Sequence, residues 1–332
     1  MQAPKFSRRS FLKSGAVAAA AASLPGFSLP AAAAAALIGT VCQTQHGPVQ
    51  GIRQEGHLVW YGIPYGASTA GDARWTAPQD PAPWADAKDC TVPGAAAYQY
   101  STCALGTEDC LKLDVYTTEK ASKRPVIVYL HSGGNQIGSA RELPGGFLAE
   151  QLGCVFVGLE YRLGLFGWNC LPALTAGSDA AGNFALLDIL RALDWVKENI
   201  HHFGGDGASI TLCGFSDGGR IVAALAASPL SRGRFQRAAA LSGGWSLADP
   251  DASARQLAER FAPLAVEDGL FADPASAAGW LLTPGADVRE WLCGLEPARI
   301  AALGAPSILY ADEALLSRDC LLYTSDAADD TP

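Results

Sequence analysis

Apolar positions along this chain fall into two alternating patterns. Residues 125–130, 154–159 and 210–213 are short, nearly continuous apolar runs of the kind a parallel strand shows when both of its faces are covered. Between the second and third runs, Leu186, Leu190, Leu193, Val196 and Ile200 recur at helical spacing and predict a helix whose apolar stripe packs on the sheet. A further helix is predicted to begin at Arg220 and run through Ala227. Strands that alternate with helices, with no internal repeat, define an α/β chain.

The run at 210–213 ends in Gly214-Phe215-Ser216-Asp217-Gly218-Gly219. A bare G-x-S-x-G is a common turn, but between a strand and a helix it lifts one serine hydroxyl out of the sheet as a nucleophile. Ser216 is therefore the candidate nucleophile for acyl transfer. The run at 125–130 ends in His131-Ser132-Gly133-Gly134-Asn135. Consecutive glycines let bare backbone N–H groups approach a developing alkoxide, so Gly133, Gly134 and the N–H of Asp217 form the expected oxyanion hole. His131 heads this glycine loop and is expected to brace it rather than to act as the base.

Taken with further blocks, these motifs resemble the type B carboxylesterases, the family that also contains the cholinesterases. Tyr61-Gly62-Ile63-Pro64-Tyr65, then Arg74-Trp75 and Pro78, are similar to the family's early segments. Glu108-Asp109-Cys110-Leu111-Lys112-Leu113-Asp114-Val115-Tyr116 resembles its E-D-C-L signature, and Glu160-Tyr161-Arg162-Leu163-Gly164 its Y-R-x-G block. Gly182-Asn183, Leu186-Leu187-Asp188, Phe203-Gly204-Gly205-Asp206 and Leu241-Ser242-Gly243-Gly244 continue the order. The resemblance implies an α/β-hydrolase fold over residues 37–319, with a mostly parallel central sheet, helices on both faces and a C-terminal part missing. It also implies a cofactor-free serine hydrolase that cleaves small-molecule carboxylic esters through an acyl-enzyme on Ser216.

Several positions depart from the family pattern. Ser132 stands where the family has the first glycine of its oxyanion loop. Phe215 replaces the glutamate before the serine, and Asp217 replaces the alanine after it. The Asp217 carboxylate is expected close to a site where negative charge develops, which lowers or redirects activity. In this fold the triad runs Ser, then Asp or Glu, then His. His46, His57, His131, His201 and His202 all precede Ser216, so the acid and base are not present in this chain and are expected downstream. Residues 320–330 resemble a translated sequencing adaptor, and residues 320–332 are expected to be a non-native tail. The fragment is accordingly expected to be inactive and poorly soluble, because missing strands expose a sheet edge. A competing reading is a non-catalytic esterase-like binding or adhesion protein. A dinucleotide-binding protein is excluded for want of a G-x-G-x-x-G after a strand.

Composition narrows the classes further. At 332 residues, 49% hydrophobic and 17% charged, the chain can bury a sizeable core. A formal charge of -9, with no basic patch, argues against nucleic acid as a partner. Ser7-Arg8-Arg9-Ser10-Phe11-Leu12-Lys13 has the twin-arginine pattern and opens a mildly apolar, alanine-rich run broken by Pro25 and Pro30. Residues 1–36 are read as a cleaved export leader rather than a membrane anchor, with the periplasm or beyond as destination. Among the nine cysteines, Cys154 and Cys213 fall inside predicted strands. The family counterpart of Cys110 forms a disulfide with an upstream cysteine; Ala97 occupies that position here, which leaves Cys90 or Cys103. No C-x-x-C or H-E-x-x-H supports a metal site.

Overall fold

The apolar runs lie at the centre of a seven-stranded sheet. Its strands are β1 (Ile52–Gln54), β2 (His57–Pro64), β3 (Lys112–Thr117), β4 (Arg124–Leu130), β5 (Val155–Leu159), β6 (Gly205–Phe215) and β7 (Arg237–Leu241). They lie side by side in the order β7-β6-β4-β5-β3-β2-β1. The computed structural model describes residues 38–176, 182–244, 246–304, 309–311 and 315–316; the leader and the tail from residue 320 lie outside the described residues.

Neighbours among β7, β6, β4 and β5 run parallel. By contrast, β5 pairs antiparallel with β3, β3 with β2, and β2 with β1. The sheet is thus mixed, and the expected parallel character belongs to the half that follows β3. The cause is connectivity: β1 and β2 form a hairpin through Glu55-Gly56, whereas parallel neighbours need a crossover long enough to hold a helix.

Alternate side chains on each strand face opposite layers. Leu58, Trp60, Val115, Val128, Leu130, Val155 and Val157 enter the larger core. Val59, Tyr116, Tyr129 and Phe156 face the other way, against Ala149 of helix α1 (Gly145–Leu152). On the larger side lies helix α2 (Phe184–Asn199). Its stripe residues Leu186, Leu190, Leu193 and Val196 are buried, but so are Phe184, Ala185, Ile189, Ala192 and Trp195. The helix is therefore enclosed rather than one-sided, and Ile200 belongs to the 3-10 turn Ile200–Phe203 that closes it. Helix α3 (Asp217–Ala227) packs against β6 and β7, and α4 (Pro250–Glu267) follows β7. Strand β7 lies at one margin of the described sheet, with Leu241 half exposed.

Two charge pairs are sealed inside this core. Arg162 donates through Nε and Nη2 to the Asp188 carboxylate at 2.8 and 2.6 Å, which ties the chain after β5 to α2. Arg74 grips Glu108 at 2.6 and 2.7 Å and turns its third nitrogen to the carbonyls of Leu292, Cys293 and Leu295. Charges out of water persist only when paired and fully hydrogen-bonded, and both guanidinium groups meet that condition. Cys90, Cys103 and Cys110 are free thiols, Cys103 being exposed and the other two buried. Neither candidate partner of Cys110 is bonded to it.

Asp188→Ala leaves the buried Arg162 charge without its partner. A loss of about 3–5 kcal/mol is expected, read as a fall in the urea midpoint; a change below about 1 kcal/mol would show that the pair is not a structural clamp.

Candidate active site

Only Ser216 separates β6 from α3. The helix begins three residues earlier than its apolar periodicity indicates, because Asp217, Gly218 and Gly219 already follow the helical path. Ser216 has φ 55° and ψ −116°, a conformation that costs a residue with a Cβ about 1–3 kcal/mol. Its neighbours hold it there. The Ser216 N–H donates to the Leu241 carbonyl of β7 at 2.8 Å, and its own carbonyl accepts the Arg220 N–H at 3.0 Å. A Cβ on Gly218 would collide with the Leu130 carbonyl at the end of β4, so glycine is what lets the helix start this close to the neighbouring strand. This approach sets Ser216, which is only partly buried, beside the loop that leaves β4.

That loop is folded on itself. Gly133 has φ 115°, a Cβ there would strike the Ile137 carbonyl, and the Gly133 carbonyl accepts the N–H groups of Gln136 and Ile137 at 3.1 Å each. Ser132 is anchored by Glu142, which accepts its N–H at 2.8 Å and also its hydroxyl. Tyr129 donates to the same carboxylate at 3.0 Å. Burial alone would raise the Glu142 pKa, but the bonds from Ser132 and Tyr129 hold it below the usual carboxylate range. The departure from glycine at position 132 thus has a local purpose: its hydroxyl fastens the loop.

His131 is fully buried and stacked on Tyr161 with ring centroids 4.7 Å apart. Its Nδ1 lies 2.8 Å from the Ser132 carbonyl, and the Tyr161 hydroxyl donates to the His131 carbonyl at 3.2 Å. Burial lowers its pKa, so the ring is neutral and braces the loop. Among the described residues no histidine hydrogen-bonds to Ser216. His57 faces Glu150 at 3.1 Å, and His201 and His202 lie against each other.

The residues expected to make the oxyanion hole are brought together, with one difference. Asp217 Oδ2 accepts the Gly134 N–H at 2.8 Å and lies 3.4 Å from Ser216 Oγ. Its other oxygen stands 3.8 Å from Arg220 Nη1. Hence a carboxylate from the chain itself already occupies one of the three expected donors. The Asp217 N–H, in the first turn of α3, has no intrahelical acceptor. Sequence reasoning anticipated like-charge opposition here but not this bond, and it missed Glu142 and Arg220, whose roles arise only when the loop and helix are folded together. Among the described residues no group of three or more His, Cys, Asp or Glu could hold a metal ion.

Behind the loop, Glu160 accepts the N–H groups of Ala140 at 2.9 Å and Ala97 at 3.3 Å, with Arg141 at 3.8 Å. Burial pushes its pKa up to about 7 from 4.5.

A carboxylesterase family model matches residues 39–267, and the chain belongs to that family. It is 39% identical to the para-nitrobenzyl esterase of Bacillus subtilis over 61% of this chain and 43% of that protein. It is 35% identical to gut esterase 1 of Caenorhabditis elegans over 63% of this chain and 38% of that protein. The solved carboxylesterase of Geobacillus stearothermophilus superposes with a TM-score of 0.71 at 30% identity, covering 86% of this chain and 59% of that one. The chain spans about two fifths of the length of the curated relatives it matches. These relatives are named as esterases and lend nothing to the binding-protein reading. A twin-arginine signal model matches residues 5–25, which supports export to the periplasm or beyond.

A carboxyl whose pKa is higher in the folded state stabilises the fold below its ordinary value and loses that contribution as pH rises through the folded value. For Glu160 the window runs from 4.5 to about 7. The urea stability of the parent is expected to fall relative to Glu160→Gln across this window, by up to about 3 kcal/mol. Parallel curves for the two proteins would remove Glu160 from the pH response.

Proposed function

We propose that the whole protein is a carboxylic-ester hydrolase with Ser216 as its nucleophile. The observation that carries this reading is Ser216 held at φ 55° in the single-residue turn between β6 and α3, next to the Gly133-Gly134 loop. Such strain at a partly exposed hydroxyl beside the amides of a glycine loop is the arrangement acyl transfer uses. In this reading Ser216 Oγ attacks the ester carbonyl carbon, and the carbonyl electron pair moves onto oxygen. The N–H groups of Gly133, Gly134 and Asp217 receive that oxyanion. Its collapse expels the alcohol, which takes up a proton, and water then releases the acid from the acyl-enzyme. Among the described residues no histidine reaches Ser216 Oγ, whose one side-chain partner is Asp217 Oδ2 at 3.4 Å. In this reading the acid and histidine that the family resemblance implies come from sequence after the described residues. Membership of a family whose named relatives are esterases supports the substrate class.

The intact gene provides the test. Its product is expected to turn over a chromogenic short-chain ester, and Ser216→Ala to lower kcat at least about 10³-fold. Turnover undiminished in Ser216→Ala, or a complete reading frame with no histidine after Ser216, would sink the proposal.

A further inference from the structure

The bond between Asp217 and Gly134 points to a device that the catalytic reading does not include. Asp217 Oδ2 lies within reach of both the Gly134 N–H, at 2.8 Å, and Ser216 Oγ, at 3.4 Å. An oxyanion formed on attack by Ser216 would need that same amide. We propose that Asp217 is an intramolecular competitor for the oxyanion cradle, and that Arg220 is the partner to which its carboxylate moves when the cradle is in use. The inference rests on Ser216 acting as nucleophile, and it makes Asp217 the residue that sets which ligands the site admits.

Two observations beyond the bond itself support the exchange. First, Arg220 stands one helical turn along α3, with Nη1 3.8 Å from Asp217 Oδ1, too far for a hydrogen bond but close enough to form one after a small rotation of the aspartate. Second, Arg220 Nε is buried and lacks a hydrogen-bond partner in this arrangement. A buried N–H without an acceptor is costly, so a conformation that supplies one is favoured to that extent. The carboxylate therefore has two alternative anchors. On Gly134 it fills the cradle; on Arg220 it leaves the amide free.

The consequence is a site selective by charge. A neutral carbonyl that gains its negative charge only during attack can drive the exchange as that charge forms. A ligand that is anionic from the outset meets a carboxylate already in place, and like charges in a partly dry site repel. The site is thereby protected from capture by free carboxylates, including the acid released by its own reaction.

The experiment uses the product of the intact gene, which supplies the base that labelling of Ser216 needs, and two independent readouts. The first is the Gly134 amide resonance in ¹H–¹⁵N spectra. It is expected to move upfield in Asp217→Ala as the charged acceptor is lost, and by less in Asp217→Asn, which keeps an acceptor of similar shape. Arg220→Ala is expected to move it the opposite way, and to move it not at all when combined with Asp217→Ala. The second readout is labelling of Ser216 by a neutral fluorophosphonate, in which the Oγ–P bond forms, fluoride leaves and the serine proton passes by way of that base to buffer. Asp217→Ala is expected to label at least about tenfold faster than the parent. A Gly134 resonance that is the same in the parent, Asp217→Ala and Asp217→Asn overturns the proposal. So does a displaced resonance with no gain in labelling rate. If no protein labels at Ser216, the nucleophile assignment fails instead; the coupling between Asp217 and Arg220 in the amide spectrum still decides whether the exchange exists. Should Asp217→Ala fail to fold, Asp217→Asn carries both measurements.

Discussion

A parallel sheet must turn from strand to helix within one residue if a hydroxyl is to stand clear of it, and that requirement governs the arrangement here. Ser216 can hold an unfavourable backbone conformation only because both adjoining strands restrain it, β7 through the Leu241 carbonyl and β4 through close contact of Leu130 with Gly218. The neighbours of β6 are therefore part of the site. Strain of about 1–3 kcal/mol at this point is sustainable because large aromatic and aliphatic side chains on both sheet faces supply far more stabilisation through burial.

Much of this was readable along the chain, for a physical reason. The elbow and the glycine loop are contiguous, and their chemistry depends on residues within a few positions of one another. Strands β4 and β5 and the second half of β6 carry nearly continuous apolar runs and lie where that pattern puts them, whereas β7, which opens on Arg237 and is largely exposed, carries no such signal. Strand β1 was invisible, since Ile52, Arg53 and Gln54 are all exposed and carry no periodicity. The start of α3 was read late because Gly218 and Gly219 are poor helix formers, and packing against β4 and β7 overrides propensity there. The single stripe expected on α2 underestimated its enclosure, because one sequence window does not show what covers the outer side.

Pairwise partnerships were the least legible feature. Arg162 and Asp188 were each visible within family blocks, as were Arg74 and Glu108, yet nothing in those blocks says which charge meets which. Their conspicuousness is structural: an arginine buried in a core draws in a carboxylate and several carbonyls, which fixes several segments at once. The site shows the same limit. Ser132 reads as a lost glycine until Glu142 is beside it, and Asp217 reads as a neighbouring charge until its carboxylate is found on Gly134. Both carboxylates flank a loop whose purpose is to attract negative charge, balanced by Arg220 and by the positive end of α3.

The interior thiols bear on the route this chain takes out of the cell. Cys42, Cys90 and Cys170 are pushed up to about 12 by burial, so almost none of each is thiolate at neutral pH. Twin-arginine export moves proteins that have already folded, so such sulfurs reach an oxidising environment shut away from it. Low thiolate content and burial together make each of them slow to oxidise.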